Sequence, residues 1–435
     1  MKKARVELWV AVVLSLVMGA ACKSSKDKEA EQTATAKKLI IACGSVGTEA
    51  ELCKSGAEAW AKKTGNTVEL MSVPQDAGQQ LAQFQQLLAA GSSDVDVIRI
   101  DVVWPGLVAN HFVDLKPHFP AEVLQQHFQP IVENNTINGK LIAIPWFTDA
   151  GLLYYRKDLL EKYGQKPPTT WQELAAAAKA VLAGEQKAGN TQLAGFVFQG
   201  KAYEGLTCNA LEWIDSFKGG TIVDASGNVT VTNPKAVEAI TFMAGLVGNV
   251  VPKGVLGYQE EEARNAFQGG NAVFMRNWPY AWSLVNGKDS PVADKVGVMA
   301  LPKGGEDGKS TGTLGGWQLG VSKYSKNTEL AVDLVKYLTS PEEQKRRAIE
   351  GSFNPTIKSL YQDPELLKAN PFMGNLYETF VNAVSRPTIT GAKYNQVSTA
   401  FRDSVYATLS GNGDAATNLQ QAEQKIQALK TGTTW

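Results

Sequence analysis

The chain is predicted to fold as an α/β protein. Short continuous apolar runs bounded by turn residues alternate with stretches whose apolar residues recur at helical spacing, the pattern of strands connected through helices. At 435 residues the chain is also long enough for more than one domain. Residues 39–42 read as a strand, 51–63 as a helix closed at Gly65, and 68–73 as a second strand. A helix at 79–90 stopped by Gly91 follows, then a third strand at 95–100 ending at Asp101. This β-α-β-α-β order implies a parallel sheet with helices on both faces, and ligands of such sheets sit beyond the carboxyl ends of the strands. Residues 141–145 make a further strand that runs through 146–151 to another at 152–155. Thr170 and Glu173 are spaced as a capping box opening an alanine-rich helix to 183; Ser340 and Glu343 form a second, with Pro341 in the first turn and Gly351 after the helix. A short strand at 319–321 precedes a helix at 329–338, and 415–429 reads as a largely polar helix.

Lys and Arg together number 43, as do Asp and Glu, so no charge imbalance points to nucleic acid as a partner. Lys2, Lys3 and Arg5 precede an apolar run at 8–21 that ends in Gly19, Ala20 and Ala21, which reads as an export signal over 1–21. The run is short for a membrane span. Cys22, directly after the small residues, resembles the acylated cysteine of a bacterial lipobox, with plain secretion as the alternative. Residues 22–37 then form a lipidated cysteine and a tether too polar to offset its ordering entropy. An exported chain favours disulfides, and Cys43 at a strand end faces Cys53 at the next helix start, which leaves Cys208 as a free, buried thiol.

The segment 276–282, Arg-Asn-Trp-Pro-Tyr-Ala-Trp, carries two indoles and a phenol beside loop-forming sequence, and Trp317 follows Gly315 and Gly316. Flat apolar rings suit the axial C–H face of a pyranose, although core packing uses the same residues. Catalytic signatures are weak. Gly304–Ser310 lacks the first glycine of a phosphate loop and reads as a surface turn. His111, His118 and His127 form no metal-ligand motif and read as solvated or capping residues, and no nucleophile elbow occurs. Glu49, Asp101, Asp149 and Glu204 fit two chemistries: the acid and nucleophile of a secreted glycoside hydrolase, or carboxylates accepting charge-assisted bonds from sugar hydroxyls.

The strings IDVVWPG (100–106), AGLLYYRKDLLEKYG (150–164), GKAYEGLTCN (200–209), RNWPYAW (276–282), DSPVADKVGV (289–298) and TLGGWQLGVSKYS (313–325) resemble the trehalose/maltose-binding proteins of bacterial and archaeal ABC importers. The resemblance spans about 38–430. It implies a two-lobe α/β fold of the periplasmic-binding-protein kind with a hinge between lobes. Lobe 1 would be 39–148 and 302–354, and lobe 2 would be 149–301 and 355–435. It also implies a disaccharide such as trehalose or maltose in the cleft, delivery to a membrane permease, a monomer, and no cofactor, metal or catalysis. The residues it assigns to the ligand are Glu49, Asp101, Phe147, Asp149, Trp278, Tyr280, Gly316, Trp317 and Arg386. Phe147 stands where a tyrosine is common, and Gln80 stands near an expected arginine. Tyr203 and Glu204 belong to a shared string without an assigned role.

Overall fold

A computed structural model describes residues 36–45, 47–430, 432 and 435. The expected signal, Cys22 and nearly all of the tether lie outside the described residues. Eleven strands occur among those described: β1 (Lys38–Ala42), β2 (Thr67–Leu70), β3 (Val97–Asp101), β4 (Thr136–Ile137), β5 (Lys140–Leu141), β6 (Ile144–Ala150), β7 (Leu152–Arg156), β8 (Ala194–Val197), β9 (Ala272–Asn277), β10 (Val296–Ala300) and β11 (Leu314–Val321). β4 and β5 form a hairpin; the rest build two sheets, one per lobe, in the orders β2-β1-β3-β11-β6 and β10-β7-β9-β8.

The first sheet is mixed rather than parallel throughout. β1 pairs in parallel with β2 and β3, as the alternation predicts, but β11 enters between β3 and β6 antiparallel to both. The reason is that β11 arrives from the other lobe, so no helical crossover dictates its direction. β11 is also longer than the run at 319–321, because Gly315 and Gly316 open it without a strand-like composition. Gly316 has φ +108°, and an added Cβ there would stand 2.4 Å from the Phe147 carbonyl oxygen, so only glycine fits. β2 ends at Leu70, short of the expected 73.

Apolar clusters cover both faces of the first sheet. Leu39, Ile41 and Val97 pack with Trp60 and with Leu334 and Leu338 of the helix Thr328–Leu338; Ile98 and Ile100 pack with Leu81, Phe84 and Leu88 of the helix Ala77–Ala89. In the second lobe Leu153, Phe196 and Phe274 meet helices Trp171–Lys187 and Glu204–Ser216. The C-terminal helices Tyr394–Leu409 and Ala415–Gln427 join that same cluster. Gly391, just before them, lies against Gly106 of the first lobe, where a Cβ on Gly106 would be 3.3 Å from the Gly391 Cα. Only Gly151 separates β6 from β7, and the chain also crosses between lobes at Gly312–Thr313, which pairs with Val384.

Thr170 forms a full capping box, accepting from Glu173 N at 3.1 Å while Glu173 accepts from Thr170 N at 3.2 Å. Ser340 caps Glu343 N at 3.3 Å, but the return arm is missing. The Glu343 carboxylate instead takes two charged bonds from Arg346, at 2.9 and 2.6 Å. The sulfurs of Cys43 and Cys53 are bonded, with Cα atoms 6.3 Å apart, and Cys208 is free and buried. Among the described residues no helix is long and apolar enough to cross a membrane.

Candidate functional site

A cavity of about 320 Å³ lies where the two lobes meet, and all nine sequence-predicted site residues line it. Strand register explains part of that gathering. Trp317 on β11 stands directly opposite Asp101 on β3, so both side chains leave the same face at the carboxyl end of β3. On its other edge β11 pairs with β6, placing Gly315 opposite Asp149 and Trp317 opposite Phe147. Trp278 follows the end of β9 in the second sheet, and its ring lies over Gly315, whose added Cβ would come within 3.1 Å of it.

The aromatic residues are held by charged groups. The Arg276 guanidinium stacks on Trp278 at 3.8 Å, and the indole N–H donates to Glu260 Oε1 at 3.3 Å. Tyr280 donates its hydroxyl to Glu261 Oε1 at 2.6 Å and lies nearly parallel to Phe353, 16° between planes. Trp317 carries the Arg99 guanidinium over its ring at 3.8 Å and meets Trp104 edge-on. Trp278, Tyr280 and Trp317 remain half-buried, so each keeps ring surface open, whereas Phe147 is buried against Trp146 and Phe353.

The acids differ in their surroundings. Asp101 accepts from Arg386 Nη2 at 2.7 Å, and Arg386 Nη1 donates to Glu204 Oε1 at 2.8 Å. Glu204 also accepts from the Tyr394 hydroxyl and from Ser398 Oγ at 2.6 Å. One guanidinium thereby ties a strand end of the first sheet to a helix start of the second lobe. Burial pushes the Asp101 carboxyl above its usual range, against the pull of Arg386. Burial works equally against the Arg386 cation, but Asp101 and Glu204 hold it charged. Asp149 has no such partner: its Oδ1 is buried and unbonded, and burial, then the negative charge of Glu49, raises its pKa well above the usual value.

Arg347 lies behind the aromatic wall, 3.6 Å over Trp146, 4.9 Å over Phe147 and 4.7 Å over Phe353. None of its guanidinium nitrogens has a hydrogen-bond partner, and burial lowers its pKa to about 9. Deeper still, Arg276 and Glu212, both fully buried, form an ion pair, and Glu212 Oε1 also accepts from Thr313 N at 3.0 Å at the lobe crossing. Among the described residues no cluster of His, Cys, Asp and Glu could hold a metal ion.

Sequence reasoning missed Arg99, Glu260, Glu261, Arg264 and Phe353, which also line the cavity. Arg99 was findable, because it precedes Asp101 by two residues on the same strand face. Glu204 and Tyr203, unassigned from sequence, line it too. Gln80 is fully buried and accepts from Arg99 Nε at 3.2 Å and Nη2 at 2.9 Å. The histidines lie elsewhere, and His127 is not a solvated residue. It is buried with Nδ1 2.8 Å from Thr356 Oγ1, and burial lowers its pKa to about 4.

Residues 47–345 match the family described as bacterial extracellular solute-binding protein. A "Probable ABC transporter-binding protein" of Deinococcus radiodurans is 56% identical over 408 residues, covering 93% of this chain and 96% of the relative. Among solved structures, the maltose-bound MalE3 of T. maritima superposes with TM-score 0.86 at 42% identity, over 91% of this chain and 100% of that one. The GacH receptor of Streptomyces glaucescens, solved unliganded and with acarbose, shares the fold with TM-score 0.79 at 24% identity, covering 91% and 98%.

Proposed function

The chain belongs to the bacterial extracellular solute-binding protein family, and from that premise we propose that it is a sugar receptor of an ABC importer. It binds a disaccharide such as maltose or trehalose between the lobes and delivers it to a membrane permease. The observation that carries this reading is the composition of the cavity wall. Three half-buried aromatic rings and seven carboxylates from both lobes converge on about 320 Å³. Rings of Trp278, Tyr280 and Trp317 cover pyranose faces, while Glu49, Asp101, Asp149 and Arg386 take hydroxyls. Gly316 lets the sugar approach β11, and Phe147 closes the wall without a polar contact. The maltose carried by the T. maritima relative supports the same ligand class.

In this reading the expected lobe boundaries, 39–148 with 302–354 and 149–301 with 355–435, move to the crossings at Gly151 and Gly312–Thr313, giving 39–150 with 313–354 and 151–312 with 355–435, and ligand touching both favours the closed arrangement. The protein acts as a monomer without turnover, exported by residues 1–21 and anchored through acylated Cys22. The test is a thermal-shift and tryptophan-fluorescence screen over mono- and disaccharides, since a ligand of the folded state raises apparent stability. A saturable response to maltose or trehalose, with no glucose released on prolonged incubation, is the expected result. Silence across the panel, or sustained glucose release, would overturn the proposal. Mass spectrometry of the mature chain reads the acylation of Cys22 directly.

A further inference from the structure

Arg99 sits in the cavity wall as a committed but unfinished donor. It is 2% exposed, yet it lines the cavity beside Trp317. A guanidinium offers five N–H groups. Gln80 Oε1 takes those on Nε and Nη2, and Glu49 Oε1 takes one on Nη1, which leaves one N–H on each terminal nitrogen uncommitted. The guanidinium plane lies 3.8 Å over the indole of Trp317, so that ring has only its opposite face for stacking. Gln80 and Glu49 therefore fix the fork in orientation, and the indole fixes its plane. A donor pair so constrained selects hydroxyl positions rather than bulk.

We propose that Arg99 is a ligand-contacting, specificity-determining residue of the cleft. Its two uncommitted N–H groups donate to hydroxyl oxygens of the sugar unit lying beside Trp317, and Gln80 is the residue that positions it. The inference rests on the sugar-receptor reading and adds to it which hydroxyls are read.

The experiment is a thermodynamic cycle between protein variants and monodeoxy analogues of whichever sugar the screen identifies. Isothermal titration would compare wild type with Arg99→Met, each first checked for a cooperative thermal transition. Loss of a charge-assisted bond predicts roughly 10- to 100-fold weaker binding of the parent sugar by Arg99→Met. For an analogue that lacks a hydroxyl partnered by Arg99, the gap between wild type and variant should shrink by at least about threefold, beyond the roughly twofold error of additivity, while the other analogues keep the full gap. If Arg99→Met does not fold, Gln80→Leu, which keeps the guanidinium but frees it, should show the same selectivity with a smaller loss. Equal weakening across all analogues, or none, would assign Arg99 to the scaffold and overturn the inference alone. A wild type that binds no sugar would overturn the receptor reading as well.

Discussion

Asp149→Asn should pull affinity and stability in opposite directions. Asp149 is 8% exposed, its Oδ1 has no partner, and Glu49 and Asp101 add negative charge nearby. Only Arg276 and Arg347 oppose that, and Arg276 is already paired with Glu212. An isosteric amide removes an uncompensated buried charge, and a group of that kind costs about 1–3 kcal/mol. Without ligand the variant should therefore melt about 1–3 °C higher, a small shift because unfolding entropy scales with chain length. The gain has a definite pH dependence. The folded carboxyl titrates above its unfolded value of 3.8. Below that value both states are protonated and the variant gains nothing. As pH rises the unfolded state ionises first, wild type loses stability, and the gap opens until the folded carboxyl has ionised too. Once the folded carboxyl has ionised, affinity should fall, because a neutral amide replaces a charged acceptor: about 1.5–3 kcal/mol, or roughly 10- to 100-fold, for the bound sugar. Calorimetry at pH 4, 6 and 8, with titration of the sugar at pH 6, 8 and 9, reads both. A variant that melts lower than wild type at pH 8, or binds within about threefold of it, would refute the account of Asp149 as an unpaired, ligand-facing charge.

His127 is buried in neutral form, with its pKa lowered from the usual 6.5 to about 4. At about 1.4 kcal/mol per pH unit, about 3 kcal/mol of stability present above pH 6.5 should be lost as pH falls toward 4; urea midpoints for His127→Gln should be flatter over that window. Glu212→Leu strands the fully buried Arg276 and frees Thr313 N, a loss of about 3–5 kcal/mol, and Glu212→Leu with Arg276→Met should recover part of it in denaturant unfolding. Gly316→Ala meets both φ +108° and the Phe147 carbonyl, so it should cost at least about 1–3 kcal/mol and weaken sugar binding through the displaced Trp317, by melting and titration. Replacing Cys43 and Cys53 by serine opens a link across 10 residues and should cost about 2.5–3 kcal/mol in non-reducing buffer, with the mass of the native chain showing two hydrogens fewer than the dithiol.

The residues that face the cavity were legible where local chemistry and strand ends coincide. Asp101 and Asp149 each end or cross an apolar run, and the aromatic segment at 276–282 follows one. What stayed hidden depends on pairing between distant segments. No local signal says that β11 joins β3 to β6 in reverse, because its opening stretch carries Gly315 and Gly316, which serve close approach and not strand propensity. Glu260 and Glu261 look like a solvated acidic helix start, and only the fold brings them to the Trp278 and Tyr280 polar atoms. Arg99 shares a strand face with Asp101 and was within reach of the sequence, but its fixed orientation shows only when Gln80, Glu49 and Trp317, each from another element, close around it.

The position of β11 also bears on when the chain becomes structured. β3 ends at Asp101 and β6 begins at Ile144, yet the strand that joins them starts only at Leu314. As the chain is synthesised, its first 150 residues hold two facing strand edges with a vacant lane between them. That sheet stays open until the first segment of the second lobe has been made and the return strand arrives. Long-range insertion of this kind is slow and leaves backbone edges unpaired meanwhile. The leading third of the chain therefore keeps its sheet unfinished until almost three quarters of the polypeptide exists.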